Sequence, residues 1–161
     1  MEQLLVVLLL WISQHSAFTY HPDMGLPVVE HVTQRQLAHI YIGDDEGAKK
    51  EGTINTQGFL SEADYQSLAV GLEAVYAADK NTIYLGEKVD LNTDYGRSVL
   101  VHELIHFLQK THQHHTQVAC GNALEKDAYT IQADFMKAHD LVPPFTGFTV
   151  MMRSLCEEDL V

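Results

Sequence analysis

The order of signals along the chain predicts an α+β fold in one small domain. Strand-like runs are confined to the first 85 residues, at 28–32, 74–77 and 82–85, and two long helical patterns follow, near 94–111 and 123–139. With 161 residues, 46% of them hydrophobic, the chain is long enough to bury a real core. No internal repeat or interdomain linker interrupts it. The net charge of -12 weighs against nucleic acid or an anionic membrane surface as partner.

The chain opens on an unbroken apolar run from Leu4 to Ile12, followed by Ser13-Gln14-His15-Ser16-Ala17. That run is too short to span a membrane. It has the length of a signal-peptide core ahead of a small-residue cleavage region, although Glu2 stands where a Lys or Arg is usual. Residues 1–17 are therefore expected to be a signal peptide, cut after Ala17 or one residue earlier. The mature domain is then expected to be 18–161, secreted or periplasmic, with no stable membrane span; the competing reading of the run is a buried N-terminal helix or strand. Export makes the two cysteines, Cys120 and Cys156, a candidate disulfide, against two free thiols or Cys120 as a metal ligand.

Pro22, Gly25 and Pro27 mark an irregular lead-in. Val28 to Val32 alternates like a strand. Thr33 with Gln36 forms a capping-box pattern for a helix from about Gln34 to Tyr41, ended by Gly43. The stretch from Asp44 to Gly58 is polar and reads as a surface loop, and Ser61 to Asp64 opens a possible helix. Ala74 to Ala77 and Thr82 to Leu85, around Ala78-Asp79-Lys80-Asn81, carry a β-hairpin signal. Glu87 to Thr93 is a loop, and Thr93 or Asp94 caps a helix running to about Thr111. A polar loop spans Thr111 to Gln117. Asn122 is placed to cap a last long helix, from about Ala123 to His139, ended by Pro143-Pro144. The tail, with Phe145, Phe148 and Leu155, is expected to fold back as a short helix or turn.

The helix from Asp94 carries His102-Glu103-Leu104-Ile105-His106, an HExxH pattern. With ten histidines in the chain, chance would produce this pattern only about 0.04 times. Positions four apart lie on one helix face, so His102 and His106 can aim two imidazoles at one point. Neutral imidazole suits zinc. Glu103, beside the first ligand, can take a proton from water at the metal as general base. Leu100, Val101, Leu104, Ile105, Phe107 and Leu108 make the helix apolar on most sides, so it should be buried. Ionisable groups on a buried helix are costly unless paired or ligated, and the competing reading is a pair of hydrogen-bonded core histidines.

A zinc site needs a third protein ligand. Glu125 follows His106 after eighteen residues, and His112 follows it after five. His112 would suit an HExxHxxGxxH motif, but Gln109 stands where that motif turns on glycine. On a continuing helix His112 is rotated about 120° from His106, which favours Glu125. A first-turn Glu is also an ordinary helix-dipole residue, and the histidines 112, 114 and 115 can equally be a solvated loop.

HExxH, eighteen residues and then Glu resembles the pattern of the gluzincins, metallopeptidases with two His ligands and a Glu ligand. The string Ser98 to Gln109, with Glu125-Lys126-Asp127-Ala128-Tyr129 and Gln132, resembles more closely a group of small secreted bacterial zincin-like proteins. Leu26-Pro27 and Asn81 to Leu85 fit that group too. The resemblance implies a minimal zincin-like domain. A small antiparallel sheet would cover the active-site helix, with a Glu-ligand helix after it and the substrate along the sheet edge. His102, His106 and Glu125 would hold Zn2+, and Glu103 would be the general base.

Two features depart from that pattern. An acidic residue usually follows the Glu ligand by one turn to orient a histidine, but Tyr129 sits there, and Asp127, two residues on, should face elsewhere. No oxyanion donor is assigned by motif. Tyr129 and Tyr95 are the candidates, Tyr129 being the catalytic choice. Two functions follow. One is a zinc-dependent hydrolase cutting a peptide or protein substrate. The other is a non-enzymatic secreted protein whose zinc site stabilises it or binds a partner.

Overall fold

The structure is a computed structural model that describes residues 1–43 and 71–156. The expected loop from Asp44 to Gly58 and the possible helix at Ser61 lie outside the described residues. Two compact units divide the chain, one of residues 28–90 and one of residues 1–27 with 91–161.

The first unit holds a three-stranded sheet and a helix. Strand β1 (Val28–Val32) leads through the Thr33 cap into α2 (Gln34–Tyr41), the second helix of the chain after α1 (Glu2–His15). The Thr33 side chain accepts from the Gln36 backbone N–H, and the Gln36 side chain accepts from Thr33, so the capping box forms as expected. Strands β2 (Ala74–Ala77) and β3 (Thr82–Gly86) make the expected antiparallel hairpin, with Ala74 opposite Leu85 and Ala77 opposite Thr82. Asn81 closes the turn with φ of 48°, a left-handed conformation that asparagine tolerates.

The sheet is mixed, not wholly antiparallel: β1 pairs in parallel with β3, from Val28 opposite Thr82 to Val32 opposite Gly86. Parallel pairing requires a crossover connection, and the chain between β1 and β3 contains α2. The strand order is β1-β3-β2, which makes β3 central, and its Ile83 and Leu85 are fully buried. Helix α2 packs on the strands through buried Leu37 and Ala38. Gly86 is needed where these elements meet. A Cβ there would lie 2.8 Å from Gln34 Oε1 and 3.2 Å from the Glu73 carbonyl.

The second unit is helical. Helix α1 (Glu2–His15) covers most of the expected signal peptide. Its Leu5, Leu8, Leu9 and Ile12, spaced as one helical face, are buried, and the helix packs on the long α3 (Asp94–Thr111). No helix among the described residues is long and apolar enough to cross a membrane.

Helix α3 starts at Thr93, whose side chain accepts from the Gly96 N–H at 3.0 Å. It is buried along Val99 to Ile105 and again at Phe107, Leu108 and Gln109, as its apolar sequence predicts. It stops at His112 because Gln113 turns left-handed, with φ of 56°. Helix α4 (Glu125–Ala138) begins later than expected. A 3-10 turn at Gly121–Leu124 feeds directly into it, and no side chain caps it. Asn122 is therefore not a cap. Its amide instead donates to the Leu155 carbonyl at 3.0 Å.

Helix α4 also ends before the prolines. Asp140 is left-handed at φ 57°, and the N–H groups of Asp140 and Leu141 return to the carbonyls of Lys137 and Met136. That is a Schellman ending with Asp in the place of glycine. The tail forms α5 (Gly147–Ser154), capped by Thr146 with Thr149 and packed on α4. Cys156 is bonded to Cys120, with the Cα atoms 5.8 Å apart, as the cysteine pair predicts.

Candidate metal centre

The site is built where α3 packs on α4. His102 and His106 lie one turn apart on α3, and Glu125 is the first residue of α4. The 3-10 turn before α4 thus sets the position of Glu125, and helix packing brings it to the histidines. His102 Nε2 lies 3.2 Å from one Glu125 carboxylate oxygen, and His106 Nε2 lies 3.3 Å from the other. The two Nε2 atoms are 3.3 Å apart. Among the described residues this is the one group of three or more His, Cys, Asp or Glu side chains able to hold a metal ion.

These three contacts, which involve both oxygens of Glu125, are close to the spacing of donors around one cation. Donors about 2.0–2.1 Å from a tetrahedral ion stand about 3.3–3.4 Å from one another. The contacts at the opposite ends of the rings favour the tautomers in which the Nε2 atoms are acceptors. His102 Nδ1 lies 3.1 Å from Gln132 Oε1, and His106 Nδ1 lies 2.8 Å from Gln109 Oε1. An amide oxygen only accepts, so each Nδ1 carries the proton. The orientation of the Gln109 amide is fixed independently, because its Nε2 donates to the Leu124 carbonyl at 2.9 Å. In their neutral form both rings therefore point bare lone pairs, together with a carboxylate, at one spot. Without a cation between them, three acceptors in contact repel. A proton or a metal ion resolves the conflict, and the donor set of two imidazoles and one carboxylate fits a divalent ion.

Without metal, the cluster holds a proton. Burial disfavours a charged His106, but the hydrogen bond to Glu125 and the negative charges of Glu103 and Glu125 outweigh it and raise its pKa to about 9. Burial also acts to raise the Glu125 pKa, yet contact with His102 and His106, whose Nε2 atoms donate to it when the rings are protonated, and the positive charge they then carry pull it far below the usual carboxylate range.

Glu103 is beside the cluster on α3 and only 6% exposed. Tyr129, one turn after Glu125, sets its ring against His102, with centroids 4.5 Å apart. Burial raises its pKa, opposed by the charge and hydrogen bond of Arg153 and assisted by the charges of Glu125 and Glu103. Arg153 reaches it from α5, donating through Nη1 to the Tyr129 hydroxyl. Tyr95 lies seven residues before His102, about 10 Å along the helix axis, and is 37% exposed.

His112 is not at the cluster. At the end of α3 its Nε2 donates to the Thr19 carbonyl at 2.8 Å. Asp127 faces away too, with its carboxylate 3.7 Å from His114 Nε2. The orienting groups that the sequence left unassigned are Gln109 and Gln132. A signal for both was present. Gln109 is three residues after His106, and Gln132 is seven after Glu125, each sharing a helix face with a ligand. Arg153 carried no such signal, because only the fold of the tail brings it to Tyr129.

A family model described as a domain of unknown function (DUF6647) matches residues 53–161, which include the whole cluster. No curated protein and no solved structure matches the chain.

Proposed function

The chain belongs to the DUF6647 family, and we propose that it is a zinc-dependent hydrolase that cuts peptide bonds. The observation that carries this reading is the convergence of His102 Nε2, His106 Nε2 and Glu125, with lone pairs held inward by two glutamines, directly beside Glu103. Two nitrogens and one carboxylate are the donor set of hydrolytic zinc sites that keep a position open, and the gluzincin-like spacing agrees. A site serving stability alone has no chemical need for the Glu103 carboxylate.

His102, His106 and Glu125 would hold the zinc, which would supply a Lewis acid for a carbonyl and for water. Glu103 would serve as the general base for water and then as the proton donor to the leaving amine. Tyr129 is proposed as the donor to the developing oxyanion. Its oxygen already accepts from Arg153, so its own O–H is left to donate. Gln132 and Gln109 keep both imidazoles in the ligating tautomer. The Leu4 to Ile12 run and the Cys120–Cys156 bridge support export to an oxidising compartment.

The test is metal content followed by turnover. Protein purified without tags or added metal is expected to hold about one zinc per chain. Glu103→Gln is expected to keep the zinc and lose cleavage of a mixed peptide library. A protein that takes up no zinc at neutral pH overturns the reading. One that keeps zinc but cleaves nothing, with or without Glu103, is the non-enzymatic zinc protein.

A further inference from the structure

We propose that Arg153 reads a carboxylate on the substrate about one residue from the scissile bond, making the site selective for peptides with a negative charge at that position. This deepens the hydrolase reading and rests on it for the identity of the substrate.

Arg153 is an exposed residue on α5, yet it is held close to the metal cluster. Its guanidinium carbon is 5.3 Å from the centroid of the Tyr129 ring, and that ring is 4.5 Å from His102. The guanidinium is thus within about 10 Å of the His102 ring. A peptide residue spans about 3.3–3.6 Å, so a carbonyl at the metal places the next carboxylate in this range.

No carboxylate among the described residues pairs with Arg153, although the chain carries 22 acidic residues against 10 basic ones. One of its five N–H groups is used by a neutral phenol. Among the described residues nothing else is bonded to the rest of the planar fork, whose geometry suits bidentate binding of a carboxylate.

The guanidinium is also prearranged. The disulfide holds Cys156, three residues after Arg153, to Cys120, just ahead of the turn that enters α4. Asn122 holds the Leu155 carbonyl at 3.0 Å, and the Thr146 box fixes the start of α5. Phe145 packs edge-on to Tyr129 at 4.9 Å and limits where that ring can go. An arginine serving only solubility has no use for this anchoring.

The carboxylate has two sources, a free C-terminus or an Asp or Glu side chain. Both present the same chemistry to Arg153, and they imply different enzymes. The test uses the full chain loaded with zinc and carrying Glu103→Gln, so that ligand is not consumed, and reads binding by calorimetry. Three peptides of one sequence are compared: the free acid, its C-terminal amide, and an amide in which Glu replaces the last residue.

One of the two charged forms is expected to bind about 10- to 100-fold tighter than the uncharged amide. Arg153→Ala should erase that preference and Arg153→Lys should keep part of it, with zinc content and the disulfide unchanged. Arg153→Gln, which can still donate to Tyr129, should erase it as well and serves if the alanine variant does not fold. A preference for the free acid identifies C-terminal trimming, and one for the Glu amide identifies cleavage beside acidic residues. Equal binding of the three peptides, no binding of any, or a preference that survives the loss of Arg153 overturns the proposal. If the wild type cleaves none of these peptides while the Arg153-dependent preference remains, the hydrolase reading fails and the carboxylate site stands.

Discussion

Gln132 Oε1 lies 3.1 Å from His102 Nδ1, so a neutral amide on one helix favours one tautomer of a candidate ligand on another. Gln109 does the same for His106 from within α3. Carboxylates often fill this role at metal-ligating histidines and make the ring more basic. A neutral amide fixes the ring without adding charge to a cluster that already contains Glu125 and Glu103.

Replacing either glutamine with leucine is therefore expected to weaken zinc binding about 10- to 100-fold. Gln132→Glu, which keeps an acceptor at the same reach, should retain it. Competition with a chromophoric chelator reads the difference. Unchanged affinity in both leucine variants would show that packing alone orients the rings.

Removing ligands should sort the candidates. His102→Ala and Glu125→Ala each leave two donors and should lose stoichiometric zinc. His112→Ala should retain it, because that ring is committed to the Thr19 carbonyl. Zinc per chain after dialysis is the readout, and the reverse order would place His112 in the centre.

Protonation of the cluster gives a pH dependence of definite sign. The His106 pKa is raised from 6.5 to about 9. Its contribution to the stability of the metal-free protein is thus fully present below pH 6.5 and lost as pH rises through about 9. The Glu125 pKa is lowered from 4.5, so its contribution is present above that value and lost on acidification. The metal must displace the His106 proton. Zinc affinity should therefore climb about tenfold per pH unit up to about pH 9 and then level. Chelator competition one pH unit apart, and urea midpoints of the metal-free protein across the same range, check the two statements separately.

The sequence disclosed most of what local chemistry decides. The Thr33 box, the Thr93 cap, the hairpin and the helix from Asp94 all depend on neighbours a few residues away. The cluster that could hold a metal was legible because helical periodicity put His102 and His106 on one face and removed His112 from it. What stayed hidden depends on contacts far apart in sequence. The parallel pairing of β1 with β3 joins residues separated by more than fifty positions. Asn122 looked like a cap because Asn often is one, but the tail claims its amide. Gln132 meets His102 across 30 residues, and Arg153 meets Tyr129 across 24. No periodicity within one element reports such meetings.

The disulfide offers a test of how far the tail supports the site. The bridge closes a separation of 36 residues, and in the chain-entropy model it stabilises the fold by about 4 kcal/mol. Within that loop lie Glu125, Tyr129, Gln132 and Arg153, but His102 and His106 lie outside it. A double Cys120→Ser, Cys156→Ser variant should therefore lose stability by an amount of that order, read from urea unfolding of the metal-free protein. Zinc added to the variant should restore part of the loss, since the metal ties α4 to α3 independently of the bridge. The Arg153–Tyr129 contact is not tied by the metal, and α5 is joined to the turn before α4 through Cys156 and Asn122 in addition to its packing on α4. Tyr129 fluorescence is not isolated among seven tyrosines, so the contact is better followed by the carboxylate preference in peptide binding. That preference should fall in the variant even when zinc is bound at full stoichiometry. If it persists unchanged, the packing of α5 on α4 is sufficient by itself to hold Arg153, and the bridge serves stability alone.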